Sequence, residues 1–141
     1  MQDIYNSTNL KRLISPVVVT DNTAQTSQVI DARGFDELLI GVLTGTLSDA
    51  DTTVAVVIYE NDANSTSGGT QIAAANHVGS SQTSLNHQFD DDNEVKKAVV
   101  RPTKRYVYIV ATPSNNTGNI PITAFGLLHG PQYGPATQSD S

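Results

Sequence analysis

The acidic run Asp90-Asp91-Asp92-Asn93-Glu94 is the densest group of potential cation ligands in this sequence. A calcium ion takes about six to eight oxygen ligands, mainly from carboxylates and carbonyls, so the run is a candidate calcium loop. It lacks, however, the alternating acidic residues and the turn glycine of the common calcium-binding loop. We therefore expect a solvated acidic turn, and a calcium site is the alternative.

The other residues with catalytic potential do not form a recognisable motif. The three histidines, His77, His87 and His129, show no metal-ligand spacing, and the sequence contains no cysteine. Neither a G-x-S-x-G pattern nor a phosphate-binding glycine loop occurs. We expect each histidine to lie at the surface or in a turn, and we expect no enzymatic activity, no metal and no cofactor. A hydrolase whose two carboxylates come from distant strands is the open alternative.

Charged residues are distributed unevenly along the chain, whose formal net charge is -6. Five of the eight basic residues fall between positions 96 and 105, and none lies from Gly34 to Val95. We therefore expect the two signs of charge to occupy different surfaces, with the basic residues facing a partner. An ordinary solvated surface is the alternative. The candidate contact residues are Lys11, Arg12, Lys96, Lys97, Arg101, Lys104 and Arg105.

Composition argues against two classes of partner. Binding to nucleic acid needs a larger basic footprint than this acidic chain provides. No segment has the length and apolar character of a membrane-spanning helix. The first residues, Met1 to Asn6, lack a basic region followed by an apolar one, so we expect synthesis in the cytoplasm without a secretory signal.

Short runs rich in β-branched and aromatic residues alternate with polar turns along the whole middle of the chain. No amphipathic helix of useful length lies between them, which argues against a parallel sheet with crossover helices. The pattern predicts an all-β protein, an antiparallel β-sandwich that we expect to be a jelly roll. The predicted strands are 14–20, 27–31, 36–44, 52–60, 95–100, 104–112 and 122–131, with weaker signals at 71–78 and 83–89.

Strand 52–60 is apolar on both faces, because Thr53, Ala55, Val57 and Tyr59 alternate with Val54, Val56 and Ile58. We expect it to lie at the centre of a sheet or in an oligomer contact. Pro16 lacks a backbone donor and therefore marks an edge strand or a strand start.

The ends of the chain differ from its middle. Residues 1–13 and 132–141 are polar and poor in core residues. We predict one sandwich domain over residues 14–131, an extended N-terminal arm over 1–13 and a C-terminal tail over 132–141. Such ends are commonly frayed, or they order against a neighbouring molecule.

Four segments, taken together and in order, resemble motifs of tailed-bacteriophage capsid decoration (cement, head-stabilising) proteins. Two features depart from that pattern, because the aromatic residue expected after the second motif is absent and the closing arginine is Gln132. The four segments are Arg33 to Asp49, Glu60-Asn61-Asp62-Ala63, Lys104-Arg105-Tyr106-Val107-Tyr108 and Leu128 to Pro135.

This resemblance implies a small jelly-roll virion protein on the outside of a capsid. Its partner would be the major capsid protein, and such proteins are often homotrimers. The alternative is a receptor- or carbohydrate-binding β-sandwich of a phage spike or fibre. That function needs exposed aromatic residues in one patch, for which Tyr59, Tyr106 and Tyr108 are the candidates.

Overall fold

The computed structural model describes residues 3–131, which contain ten β-strands and one 3-10 turn. The strands follow the alternation of buried and exposed residues along the sequence. Their bounds are β1 (Thr8–Val19), β2 (Gln25–Thr26), β3 (Ile30–Asp31), β4 (Phe35–Thr44), β5 (Thr53–Asn61), β6 (Thr70–Gln71), β7 (His87–Gln88), β8 (Val95–Val100), β9 (Tyr106–Ser114) and β10 (Ile120–Pro131), with the 3-10 turn at Ala74–Asn76 between β6 and β7.

The strands form two antiparallel sheets. Sheet I has the order β1-β10-β4-β8. Sheet II has the order β2-β9-β5-β6, with β3 also pairing with β9 and β7 also pairing with β5. This alternation of strands between two sheets is the double Greek key of a jelly roll. The predicted all-β antiparallel sandwich is therefore confirmed.

One apolar core lies between the two sheets. In β5, Val54, Val56 and Ile58 are buried, whereas Thr53 and Ala55 are exposed on the outer face. The strand has β9 on one side and β6 and β7 on the other, so it occupies the central position that its sequence predicted. The largest fully buried side chains are Ile30, Leu38, Ile40, Ile72, Leu85, Ile109, Ile120, Leu128, His87, Val42, Val54 and Val56.

The N-terminal arm is shorter than the sequence predicted. Residues Thr8 to Leu13 belong to β1, because they pair with β10 from Thr8 opposite His129 to Arg12 opposite Phe125. Only the turn at residues 3–7 precedes the strand in the described part of the chain. The pairing shifts register between Ile14 and Val17, around Pro16, and β1 is an edge strand as Pro16 indicated. The predicted tail 132–141 lies outside the described residues.

The sandwich has two chemically different ends. One end, the acidic end, is formed by loops 20–24, 45–52, 89–94 and 115–119, since Val19, Thr44, Val95 and Ile120 meet there in the strand pairing. These loops carry seven acidic residues and no basic one, namely Asp21, Asp49, Asp51, Asp90, Asp91, Asp92 and Glu94. The opposite end, the motif end, is formed by loops 32–34, 62–69 and 101–105 together with the last residues of β10.

Candidate functional site

The seven predicted contact residues do not form one surface. Arg12, Lys97 and Arg101 are exposed on sheet I or at its edges. Arg12 lies opposite Phe125, and Lys97 lies opposite Gly41, so both belong to the outer face of that sheet. Arg101 follows β8, and its guanidinium lies 3.4 Å from the carboxylate of Glu37. Two of the seven cations thus lie in the outer face of sheet I, and Arg101 lies beside it.

Two further residues of the set are turned towards the interior edge of the sandwich. The Nζ atom of Lys96 donates to the carbonyl of Asn86 at 2.8 Å and to the carboxylate of Asp91 at 2.7 Å. Lys11 lies opposite the inward-facing Gly126 and lines a cleft of about 370 Å³ beside Gln28 and Asp31. Both side chains therefore have contacts within the protein itself.

Lys104 and Arg105 lie at the motif end. The guanidinium of Arg105 donates to both carboxylate oxygens of Asp31, at 2.9 and 2.7 Å, and it lies 4.9 Å from the ring centre of Tyr106. The hydrogen bonds from Arg105 lower the pKa of Asp31, which in turn raises that of Arg105. Lys104 Nζ donates to Thr70 Oγ1 at 3.4 Å. The basic segment of the sequence is consequently divided between two regions of the fold.

The motif end is organised by Glu60, a carboxylate that is only 6% exposed. It accepts hydrogen bonds from Thr103 N and Thr103 Oγ1, both at 2.8 Å, and from Lys104 N at 3.3 Å. These bonds fix the loop that precedes β9, because a buried carboxylate needs several donors to be stable. The end of β5 and the loop before β9, which are far apart in the sequence, are thereby joined.

The acidic run is held in place by its own carboxylates. Asp91 accepts hydrogen bonds from Gln88 N and Lys96 Nζ, both at 2.7 Å, and the bond from Lys96 lowers the pKa of Asp91. Asp92 accepts a bond from Leu47 N at 2.7 Å. Asn93 has a φ of 54°, a left-handed conformation that asparagine tolerates. In residues 3–131 no three His, Asp or Glu side chains are arranged to hold a metal ion.

His87 does not occupy the surface or turn position expected from the sequence. It lies in β7 and is 1% exposed, with Nδ1 3.0 Å from the carbonyl of Leu85. Burial lowers its pKa, so the neutral ring is favoured, with Nδ1 donating to that carbonyl. Its Nε2 atom is buried without a hydrogen-bond partner. The signal that the sequence offered was the alternation of Leu85 and His87, both of which point into the core.

The tyrosines named as a possible sugar platform are largely covered. Tyr59 and Tyr108 face each other on β5 and β9, and their rings stack at 5.3 Å with an interplanar angle of 13°. Tyr108 is 4% exposed, because the loop containing Gly69 packs against its hydroxyl end. Tyr106 lies under the guanidinium of Arg105.

The outer face of sheet I is apolar, and the sequence reasoning did not identify it. One row across the sheet consists of Leu10, Leu127, Leu39 and Val99, which are paired with each other in register. The next row is Arg12, Phe125, Gly41 and Lys97, in which the Phe125 ring covers the space above Gly41. A third row contains Thr123, Leu43 and Val95.

Exposure and shape distinguish this face from the rest of the surface. Leu10 is 57% and Val95 61% exposed. A groove of about 370 Å³ lies near the acidic end, between Val17, Val18 and Leu43. A signal was present in β4 and β10, since both strands have apolar residues on their outward as well as their inward positions.

Comparisons with known proteins give a fold and no family. No protein-family model and no curated protein sequence matches the chain. Among solved structures, PBSX exported protein XepA is similar with a TM-score of 0.59 and 12% identity over 100% of this chain, which spans 42% of the length of XepA. The SPBc2 prophage-derived protein YomS is similar with a TM-score of 0.49 and 11% identity, covering 86% of this chain and 91% of YomS.

Other similar structures belong to proteins of different kinds. The xylan-binding domain from CBM 22 has a TM-score of 0.43 and 16% identity, covering 88% of each chain. At such identities the likeness concerns the fold alone. Within residues 3–131 no helix has the length and apolar character needed to span a membrane. The chain is thus an antiparallel β-sandwich with jelly-roll strand order, a fold that it shares with XepA.

Proposed function

We propose that this protein is a virion structural protein that binds the outer surface of a phage capsid and stabilises the shell. The observation that carries the proposal is the meeting, at the motif end, of residues from all four segments that resemble capsid decoration proteins. Phe35 of the first segment pairs with Pro131 of the fourth. Glu60 of the second accepts a hydrogen bond from Lys104 of the third.

These contacts give the resemblance a physical meaning. In natural sequences local choices agree with the global fold, and here residues of the four segments support one another in space. The first segment contains the whole of β4 and ends in the loop after it at the acidic end, whereas the other three lie at the end of β5, the start of β9 and the end of β10. The fold-level likeness to XepA and to a prophage-derived protein is compatible with a phage origin.

The proposed action is mechanical and not enzymatic. A protein that binds the assembled shell, and does not bind its separated subunits, stabilises the assembled state by mass action. The partner is the major capsid protein, and the site of action is the capsid exterior, reached after synthesis in the host cytoplasm. No metal, cofactor, membrane or nucleic acid takes part in this proposal.

We further propose a homotrimer, which matches the three-fold positions of an icosahedral shell. The outer face of sheet II offers Ala55, Val57 and Val110 as an apolar surface at the centre of the sheet. Light scattering on the purified protein measures the state directly. A stable monomer at tens of micromolar, roughly the range of weak interfaces, would contradict the trimer.

Heat resistance of phage heads tests the function. Heads assembled without this protein should lose their genome or rupture at a lower temperature than heads that carry it, and adding the purified protein should restore the difference. Equal heat resistance with and without the protein would rule out the stabilising role.

A receptor- or carbohydrate-binding role is the second hypothesis. It needs an open aromatic platform, and the stacking of Tyr59 on Tyr108 and the position of Arg105 over Tyr106 leave none among these three residues. The arrangement therefore favours the capsid hypothesis over the spike hypothesis.

A further inference from the structure

We propose that the outer face of sheet I is the docking surface of this protein and that its occupant is a protein surface with an apolar centre bordered by carboxylates. The proposal deepens the proposed function, on which it rests, by assigning the face that meets the shell protein. It differs from the sequence-based expectation because the apolar rows, and not the basic segment as a whole, form the centre of the contact.

The size of the face supports a protein partner. Strands lie about 4.8 Å apart and alternate residues about 6.7 Å apart, so four strands and three rows cover about 400 Å². This footprint includes Arg12, Lys97 and Thr123, so its apolar area is smaller. The largest apolar patch of a typical monomer covers about 300–600 Å² and is often functional. Leu10 and Val95, at opposite edges of the face, are both more than half exposed.

The charges on the face indicate what the partner presents. The middle row begins with Arg12 on β1, whose guanidinium donates to Ser15 and, at 3.2 Å, to Gln28 Oε1, and ends with Lys97 on β8, so a cation lies at each edge of the apolar centre. None of the described residues in the three rows carries a carboxylate; on the flanks, Glu37 has Arg101 at 3.4 Å and His129 at 3.7 Å, and Glu94 precedes Val95 at the acidic end. A partner with carboxylates at its rim would be steered towards this face and oriented on it.

A second copy of this chain is a poor occupant for two reasons. In a face-to-face pair with aligned strands, β1 meets either β1 or β8 of the other copy, and both arrangements bring a cation next to a cation. In addition, two such faces would bury about 800 Å² in total, which is below the roughly 1,000 Å² of a stable interface. The small contact area is less of an obstacle on a shell, because a shell repeats the same site many times. An oligomer that binds several of these sites at once gains avidity without a larger single contact.

A bilayer is also a poor occupant. Interfacial binding needs apolar side chains that penetrate the headgroup region, as an amphipathic helix provides. The face of sheet I is instead a broad sheet surface, whose apolar side chains stand in rows between strands that carry Arg12 and Lys97. Such a surface excludes water best against another surface of matching relief.

Two pairs of variants test the proposal. The probe consists of heads from a phage whose genome carries this gene, produced with the gene deleted. Leu10→Asp and Lys97→Glu place negative charge on the face, and their controls Phe89→Asp and Arg33→Glu make the same changes at exposed residues outside it. All variants are first compared with the wild type by circular dichroism and by urea unfolding.

We expect Leu10→Asp and Lys97→Glu each to weaken binding to the heads about tenfold or more, because each places a negative charge against the carboxylates of the partner, while the controls bind like the wild type. Wild-type binding that neither face variant weakens would overturn this inference and leave the proposed function standing. A wild type that does not bind the heads would overturn both.

Two further experiments test the other possible occupants of the face, which are a second copy of this chain and a bilayer. The same proteins are sedimented alone up to high micromolar concentration, and with vesicles of phosphatidylcholine and phosphatidylserine. Self-association or vesicle binding that Leu10→Asp abolishes and Phe89→Asp does not would overturn the assignment of a carboxylate-bordered protein partner.

Discussion

The outer faces of the two sheets are built by the same alternation of residues, yet they differ in what covers them. On sheet II, the loop around Gly69 packs on Tyr108, and Tyr59 stacks on the same ring, so the aromatic pair is largely buried. On sheet I, Leu10 and Val95 lie in the open, and the ring of Phe125 covers the part of the face above Gly41.

This difference separates stability from recognition. Apolar area that is removed from water on folding contributes about 25 cal/mol per Å² to the free energy of unfolding, whereas area that stays exposed contributes only when a partner covers it. Tyr59 and Tyr108 on sheet II therefore act mainly within the chain, and the apolar side chains on sheet I are available to another molecule. Substitutions on the two faces should have opposite signatures in unfolding and binding experiments.

The largest expected effect on stability is that of Tyr108→Ala. The ring is 4% exposed and stacks on Tyr59, so its loss leaves a cavity beneath the Gly69 loop. We expect the free energy of unfolding, measured in urea, to fall by about 3 kcal/mol. The control Tyr108→Phe retains the ring and should cost less than about 1 kcal/mol. Equal losses in the two variants would mean that the ring is not the stabilising part.

Gly41→Ala tests the aromatic cover of sheet I. A Cβ atom at Gly41 would clash with the ring of Phe125 and displace it, which we expect to cost about 1–2 kcal/mol of unfolding free energy. Phe125→Ala removes the obstacle, so the same glycine substitution should cost less in that background. Purely additive losses in the double-mutant cycle would contradict the contact.

The dependence of the unfolding free energy on pH tests the burial of His87, which lies in β7 of sheet II. Burial keeps its pKa in the folded state below the usual 6.5, so the unfolded chain binds a proton first as the pH falls. Stability should therefore decrease as the pH drops below about 6.5, by at most about 1.4 kcal/mol per pH unit.

The variant His87→Gln isolates that contribution. Its absolute stability is not the readout, since a buried glutamine has its own cost. The slope of unfolding free energy between pH 6.5 and 5 should become flatter than in the wild type. An unchanged slope would show that His87 does not titrate differently in the folded and unfolded states.

The ion pair between Asp31 and Arg105 at the motif end should contribute less. Both side chains are more than 40% exposed, with relative areas of 45% and 42%, so solvent screens the pair. We expect Asp31→Asn to cost about 0.2–1 kcal/mol near neutral pH, and less in high salt.

The pH dependence of this pair comes from a carboxylate whose pKa is lowered by hydrogen bonds, whereas that of His87 comes from the burial of a histidine. The hydrogen bonds from Arg105 hold the pKa of Asp31 below its usual 3.8, so the stabilisation is present above that value and is lost as the pH falls below it. Wild type and Asp31→Asn should therefore converge in stability under strongly acidic conditions. A constant difference at every pH would exclude the carboxylate as the cause.

The smallest expected effect on stability is that of Leu10→Gln on the open face. The side chain is 57% exposed, so the free energy of unfolding should change by no more than about 0.5 kcal/mol. A loss comparable to that of Tyr108→Ala would mean that sheet I is as well covered as sheet II, and the comparison between the faces would fail.

Local sequence signals were sufficient to predict a strand and its bounds where turn residues border a regular run of apolar residues. The predicted strands 36–44 and 52–60 correspond to Phe35–Thr44 and Thr53–Asn61, and the strand 95–100 has the predicted bounds. The strand at 14–20 was predicted too short because Thr8 to Leu13 are polar enough to resemble an arm. Their place in the sheet depends on pairing with β10, which lies more than 100 positions away in the chain.

The basic segment shows the same limit for the candidate site. Alternation along β8 places Lys97 on the outer face and Lys96 at the inner edge, so two adjacent cations have different surroundings. Lys104 and Arg105 follow a turn and join the motif end. Proximity in the sequence was therefore a poor guide to a shared surface.

The sequence by itself determined that this chain is all-β, where its central strands run and how the residues of β5 divide between two faces. These properties depend on neighbours one or two positions apart. The tertiary structure alone decided that His87 is buried, that the seven cations separate, and that the apolar outer face of sheet I stays open while the tyrosines of sheet II are covered. The reason is that alternation gives every strand two faces, and whether a face is buried depends on a segment that is distant in the chain.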